Sequence, residues 1–269
     1  MELWQALILG LVEGLTEYLP VSSTGHLLIT QRLLGIAESE ASNAYAIAIQ
    51  AGAIMAVLGL YRTRCTQIGA GLLGRDPAGA RLAQRLVVAF LPAAVLGLAF
   101  DKKIESYLFG PWPIVSAWAV GGLLILAVDR KIDRAGRYDL DSLPLRVALV
   151  IGTAQCAALW PGTSRSLATI LGALGAGVSL AAAVEFSFLL GLLTLGAATS
   201  YKALQHGHAM IDAYGLLPIV VGFVVAWIAA VISIRFMVSW LSRRGLGVFG
   251  WWRLIAAAAV GELLLTGRL

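Results

Sequence analysis

Several stretches of the chain run without Asp, Glu, Lys, Arg or His, among them Ala41 to Tyr61, Ser106 to Val128 and Ala213 to Ile234. Each is near the roughly 20 residues that a helix needs to cross a bilayer. The same apolar pattern predicts six full spans, at about 43–61, 84–101, 112–129, 180–201, 215–240 and 250–267. The ten-residue alternation of a transmembrane β-barrel does not occur. Two polar stretches, 62–83 and 130–146, read as connections outside the membrane.

Two apolar segments, 1–35 and 146–176, are too broken for one clean span. Each has a proline near its centre, Pro20 and Pro161, followed by small polar residues. Proline removes a donor and clashes with the turn before it. Each segment therefore reads as two short helices joined by a polar tip, entering and leaving on one side. The two are also alike. "ALILGLVEGLTEYLPVSST" begins at Ala6 and "ALVIGTAQCAALWPGTSRS" at Ala148. Gly10 matches Gly152, Glu13 matches Gln155, and Pro20 matches Pro161 with one residue lost. Three spans follow each broken segment, and a unit of odd span number, repeated, must invert. The expected fold is an all-α integral membrane protein of two inverted-topology repeats. Each repeat is a re-entrant helix-loop-helix plus three transmembrane helices, giving six full spans and four half-helices. The whole is a single membrane domain, 1–269. Its first pseudo-repeat is 1–129, its cytoplasmic connection 130–145 and its second pseudo-repeat 146–269.

Composition agrees: 59% of residues are hydrophobic and 13% charged, against about a quarter charged in soluble proteins. The net charge of +5 reflects the loops, not nucleic-acid binding. Loops 62–83 and 130–146, the Arg243/Arg244 turn and the flanking Arg85 and Arg253 carry 13 basic residues, and the other side five. The basic side is expected to be cytoplasmic, with both termini outside. The N-terminus lacks the basic start of a signal peptide. Cys65 and Cys156 form no metal or redox pattern.

The tips carry the chemistry. Glu13 and Glu17, spaced i and i+4, share a helix face, and ionisable groups at membrane depth usually mark a pathway or reactive site. Ser22, Ser23, Thr24, Gly25 and His26 open the next helix. Capping alone needs one such residue. The second tip supplies Gly162, Thr163, Ser164, Arg165 and Ser166; Arg165 is the only cation between Val147 and Val184. Helix N-termini favour anions and a guanidinium fork suits phosphate. Hydroxyls offer a nucleophile, and glutamates a base or metal ligands. Phosphoryl chemistry on a lipid phosphate follows as the leading expectation.

These motifs, "EGLTEYLPVSSTGH" and "LWPGTSRS", with "EFSFLL" at Glu185 to Leu190 and the final "RLIAAAAV" span, resemble the undecaprenyl-pyrophosphate phosphatases, also called bacitracin-resistance proteins. The second motif completes the family's PGxSRSxxT pattern through Thr169. The resemblance implies a multi-pass enzyme of the bacterial inner membrane. It would remove the terminal phosphate of the C55 lipid diphosphate and regenerate the carrier for cell-wall synthesis. It also implies a divalent cation, Mg²⁺ or Ca²⁺, and a site facing the periplasm. Bacitracin would compete by sequestering the substrate.

Carried onto this chain, the resemblance puts Glu17 and Ser23 at the catalytic centre and Arg165 on the diphosphate. Glu13, Ser22, Thr24, His26 and Ser164 complete the pocket, with Gly25, Gly162, Thr163 and Ser166 around the substrate. Glu13 and Glu17 are the metal ligands expected. Gln155, Thr169 and Glu185 stand behind as supports; for Glu185, pairing with a neighbouring helix is equally open. Histidine can act as nucleophile or as support, and Ser23 is preferred as nucleophile over His26. His206 and His208 read as solvated residues of an outward loop, and Arg235 and Glu262 as snorkelling side chains. A transporter or flippase of a polyprenyl phosphate, using the same midplane pocket, is the rival class. A homodimer is one assembly the sequence permits.

Overall fold

The computed structural model describes residues 1–37, 39–130 and 133–269, with only the backbone at 101, 102, 105, 202, 203 and 205–209. The first apolar segment folds as α1 (Leu3–Thr16) and α2 (Ser23–Leu33). Then come α3 (Glu40–Leu60), the short α4 (Arg62–Leu72), α5 (Pro77–Leu108) and α6 (Pro111–Asp129). The second segment gives α7 (Leu145–Gln155), a 3₁₀ turn (Cys156–Leu159) and α8 (Arg165–Gly175). The chain ends with α9 (Leu180–Tyr214), α10 (Leu216–Arg243) and α11 (Gly247–Leu265). Among the described residues six helices are long and apolar enough to cross a membrane: α3, α6, α10 and α11, with the Pro77–Phe100 part of α5 and the Leu180–Tyr201 part of α9. They correspond to the six predicted spans. The protein is an all-helical, multi-pass membrane protein. Its only β pairing among the described residues is an isolated bridge from Tyr138 to Val178.

Three expectations change. The 62–83 connection is largely helical, because α4 occupies its first half and Asp76 caps α5 by accepting from the Ala78 and Gly79 amides. Residues 206 and 208 lie on the helical backbone of α9 rather than in a loop, and the His206 and His208 side chains lie outside the described residues. Arg253 is not a charge flanking a loop. It is fully buried, so it drops out of the cytoplasmic count.

The broken pairs are interlocked with the opposite half. Helix α1 packs on α10, and α7 packs on α5. Both contacts are backbone-close. A Cβ at Gly10 would meet the Gly222 carbonyl, and one at Gly152 the Ala89 carbonyl. Glycine removes the side chain that would hold these helices apart. Helices α3 and α9 pair with each other, as do α6 and α11. Part of the 133–144 connection is pinned to the end of α8. The Arg137 and Tyr138 amides donate to the Gly177 carbonyl, and the Ser179 amide donates to that of Tyr138.

Candidate active site

The first break follows Thr16. Glu17 ends α1, its amide bonded to the Glu13 carbonyl; the chain turns through Pro20 and re-enters a helix at Ser23. The second follows the 3₁₀ turn and re-enters at Arg165. At both restarts the N-cap is a serine with positive φ, Ser22 at 75° and Ser164 at 76°. No other non-glycine residue among those described has positive φ. This left-handed conformation is unfavourable for a residue with a Cβ, and its presence at both tips shows that surrounding contacts enforce it.

Arg253 is the principal contact. From α11 its guanidinium donates to the carbonyls of Pro20 (3.3 Å), Gly162 (2.9 Å) and Thr163 (3.1 Å), and to those of Ala117 (2.7 Å) and Trp118 (3.4 Å) on α6. One side chain thus satisfies backbone acceptors from both breaks. Gly121 leaves room for it, since a Cβ there would strike the guanidinium. In sequence Arg253 looks like a span-end charge; the glycine-rich facing helix was its one available signal.

The side chains then meet across the tips. The Arg165 Nη2 donates to Glu17 Oε1 at 2.9 Å, and its Nη1 to the Ser187 carbonyl at 2.9 Å. The guanidinium also lies over the Tyr18 ring, 5.7 Å from its centroid. Ser23 Oγ donates to the other Glu17 oxygen, Oε2, at 2.5 Å. One buried carboxylate is therefore held by a cation on one oxygen and a hydroxyl on the other. Ser166 Oγ bonds the Leu19 carbonyl at 3.1 Å, joining the tips again. Thr169 bonds Ser187 at 2.7 Å beneath Arg165.

These groups border a cavity of about 540 Å³. Glu17, Ser22, Ser23, Thr24, Gln155, Gly162, Ser164 and Arg165 line it, with Gln50 of α3, which the sequence did not single out. The rest of the wall is mainly apolar: Phe90, Ala93, Ala94, Gly97 and Leu98 of α5, Leu195, Ala197, Ala198 and Tyr201 of α9, and Leu159 and Trp160. Leu98 is 76% exposed and Tyr201 50%, so this wall continues onto the apolar exterior. The shape suits an amphiphile with an anionic head.

Several expected site residues stand back from the wall. His26 donates from Nδ1 to the Ser22 carbonyl at 2.7 Å, because a carbonyl only accepts; its Nε2 then accepts from Trp252 Nε1 at 3.1 Å. Both ring nitrogens are occupied, and the ring packs on Trp118, 4.6 Å between centroids. Gly25 backs onto the same indole. Thr163 and Ser166 hold the breaks together, as described. Glu185 pairs with Arg64 of α4 at 2.9 Å, which takes the neighbouring-helix role left open by the sequence.

Among the described residues no three of His, Cys, Asp and Glu gather into a metal cage. Glu13, one turn behind Glu17, is fully buried, and neither of its oxygens has a hydrogen-bond partner. The donors a hard cation would find here are these two carboxylates, of which Glu17 is already engaged at both oxygens by Arg165 and Ser23.

Comparison with known proteins agrees with this architecture. The model of the family described as bacitracin resistance protein BacA matches residues 6–259. The chain is 46% identical over 261 residues to an undecaprenyl-diphosphatase of Sorangium cellulosum, covering 96% of this chain and 85% of that one. It is 46% identical over 250 residues to undecaprenyl-diphosphatase 2 of Rhodospirillum rubrum, covering 93% and 90%. With an undecaprenyl-diphosphatase of Rhodopseudomonas palustris the identity is 41% over 264 residues, covering 98% of both chains. By its sequence, matched over residues 6–259, this chain belongs to the bacitracin resistance protein BacA family.

Proposed function

We propose that this chain is an undecaprenyl-diphosphate phosphatase, releasing inorganic phosphate and leaving undecaprenyl phosphate for another round of cell-wall synthesis. The observation that carries the chemistry is the Ser23–Glu17–Arg165 line on the wall of an apolar cavity. Glu17 takes the Ser23 proton as Oγ attacks the terminal phosphorus. The Oγ–P bond forms, the P–O bond to the bridging oxygen breaks, and the lipid monophosphate leaves with that oxygen. Water then cleaves the phosphoserine, and the proton on Glu17 returns to Ser23. Arg165 orients Glu17 and offers a guanidinium to the phosphates. His26, with both nitrogens engaged, positions the Ser22 carbonyl rather than attacking. Glu13 with Glu17 would hold a Mg²⁺ or Ca²⁺ ion, whose charge would offset that of the diphosphate. The prenyl chain follows the apolar wall out between α5 and α9. Turnover of the lipid diphosphate would reduce what bacitracin can sequester.

The two halves, 1–129 and 146–269 joined by 130–145, are read as inverted repeats. The reciprocal packing of each broken pair on the second span of the other half supports this, as do the matched glycines and the matched positive-φ serines. With the basic loops in the cytoplasm, the site would open on the periplasmic face of the bacterial inner membrane. Purified protein in detergent should release phosphate from undecaprenyl diphosphate, and Ser23→Ala should lower the rate on the order of 10⁴-fold. In right-side-out vesicles the phosphate should appear outside. No phosphate from wild type would end the enzyme reading, and release only to the inside would reverse the orientation.

A further inference from the structure

Gln155 ends α7 on the cavity wall and is 2% exposed. Neither its Oε1 nor its Nε2 has a hydrogen-bond partner. Buried amides are nearly always satisfied, and leaving one unsatisfied is destabilising. The neighbouring groups do not explain it. Both Glu17 oxygens are taken, by Arg165 and Ser23. Arg165 uses two of its five N–H donors, on Glu17 and the Ser187 carbonyl, and its Nε is buried and also without a partner. Two idle donor groups, the Arg165 Nε–H and the Gln155 amide, therefore belong to side chains on the same wall.

We propose that Gln155 contacts the substrate, donating from Nε2 to a non-bridging oxygen of the diphosphate held by Arg165. The assignment rests on the phosphatase reading above. Phosphate oxygens at neutral pH mainly accept hydrogen bonds, so the NH₂ end of the amide is the end that fits. The match between Gln155 and Glu13 in the two broken segments strengthens the point. Glu13 is off the cavity wall and keeps its carboxylate. Gln155 is on the wall, where a carboxylate would face the anionic headgroup. The amide keeps the size of glutamate, removes the charge and adds two donors.

The test is Gln155→Leu, which matches the volume and deletes the amide. KM for undecaprenyl diphosphate should rise about 10-fold or more, the usual effect of losing a hydrogen bond to a charged group. The melting temperature without substrate should stay level or rise, because an unsatisfied buried amide has been removed. Gln155→Glu should lose more activity than Gln155→Leu, since it turns a carboxylate toward the phosphates. Unchanged KM in Gln155→Leu would overturn the assignment, as would a fall in melting temperature with a loss confined to kcat. Wild-type protein that binds the lipid diphosphate, read as a rise in melting temperature, but releases no phosphate would count against the phosphatase reading alone. The Gln155→Leu loss of that thermal shift would still decide the contact.

Discussion

At the first break Ser22 sits at φ 75° and ψ 99°; at the second Ser164 sits at φ 76° and ψ 117°. The backbones restart their helices in nearly the same way. The side chains that follow do not. The first helical residue is Ser23 at one restart and Arg165 at the other. At the first break stands a glutamate, Glu17; the aligned position in the second segment is Leu159 on the cavity wall. Two tips with identical side chains would bring carboxylate to carboxylate. Here the fold reuses one backbone device and divides the polar groups, with Ser23 and Glu17, the proposed nucleophile and base, on one tip and the cation Arg165 on the other.

Arg253 probes what the tips share, since it grips carbonyls of both. Arg253→Met should destabilise the protein by about 3–5 kcal/mol, the scale seen when a buried charged network loses its donor. The melting temperature in detergent measures it. An unaltered melting temperature would mean that the breaks hold themselves without the clasp.

Arg165 probes what the tips do not share. Arg165→Lys keeps the charge but cannot serve Glu17, Ser187 and phosphate with one planar fork. Activity should fall by about 100-fold or more, as for loss of a positioned donor at a developing charge. Steady-state phosphate release gives the number, and near-normal turnover in a stably folded variant would remove Arg165 from the mechanism.

The smallest effect separates the two serines. Ser22 makes no side-chain capping bond, whereas Ser164 Oγ accepts from the Leu167 amide at 3.3 Å. Ser22→Gly should therefore stabilise by a few tenths to about 1 kcal/mol, because glycine relieves a positive φ. Ser164→Gly should show less gain or a net loss, since a cap worth about 1 kcal/mol goes with it. Equal shifts in melting temperature for the two variants would show that the cap contributes nothing.

The spans, both breaks and the residues that meet there were legible because each leaves a local mark. Charge-free runs mark a bilayer, proline ends a helix, and a lone arginine among small residues stands out. What was hidden depends on partners far along the chain. His26 reads as reactive until Trp252, 226 residues later, is seen to occupy Nε2. Arg253 reads as a boundary charge until the carbonyls of Pro20 and Gly162 arrive around it. Gln50 left a faint mark, a polar residue in an apolar span, but nothing nearby said which way it faced. The helix α4 was masked by its own arginines, which balance its apolar face and suggest a loop.

The packing of α1 on α10 also sets an order of assembly. Gly10 finds the Gly222 backbone only after more than 200 further residues have been made. At about 5–20 residues per second that interval is roughly 10–40 s. During it the helix that carries Glu13 and Glu17 has no α10 to shield it and no Arg165 or Arg253 to steady its tip. The second broken pair finds α5 already in place when α7 emerges, and only its tip waits for Arg253. The half that carries Glu13 and Glu17 is thus begun first, yet its broken helix can pack only once α10 of the other half has been made.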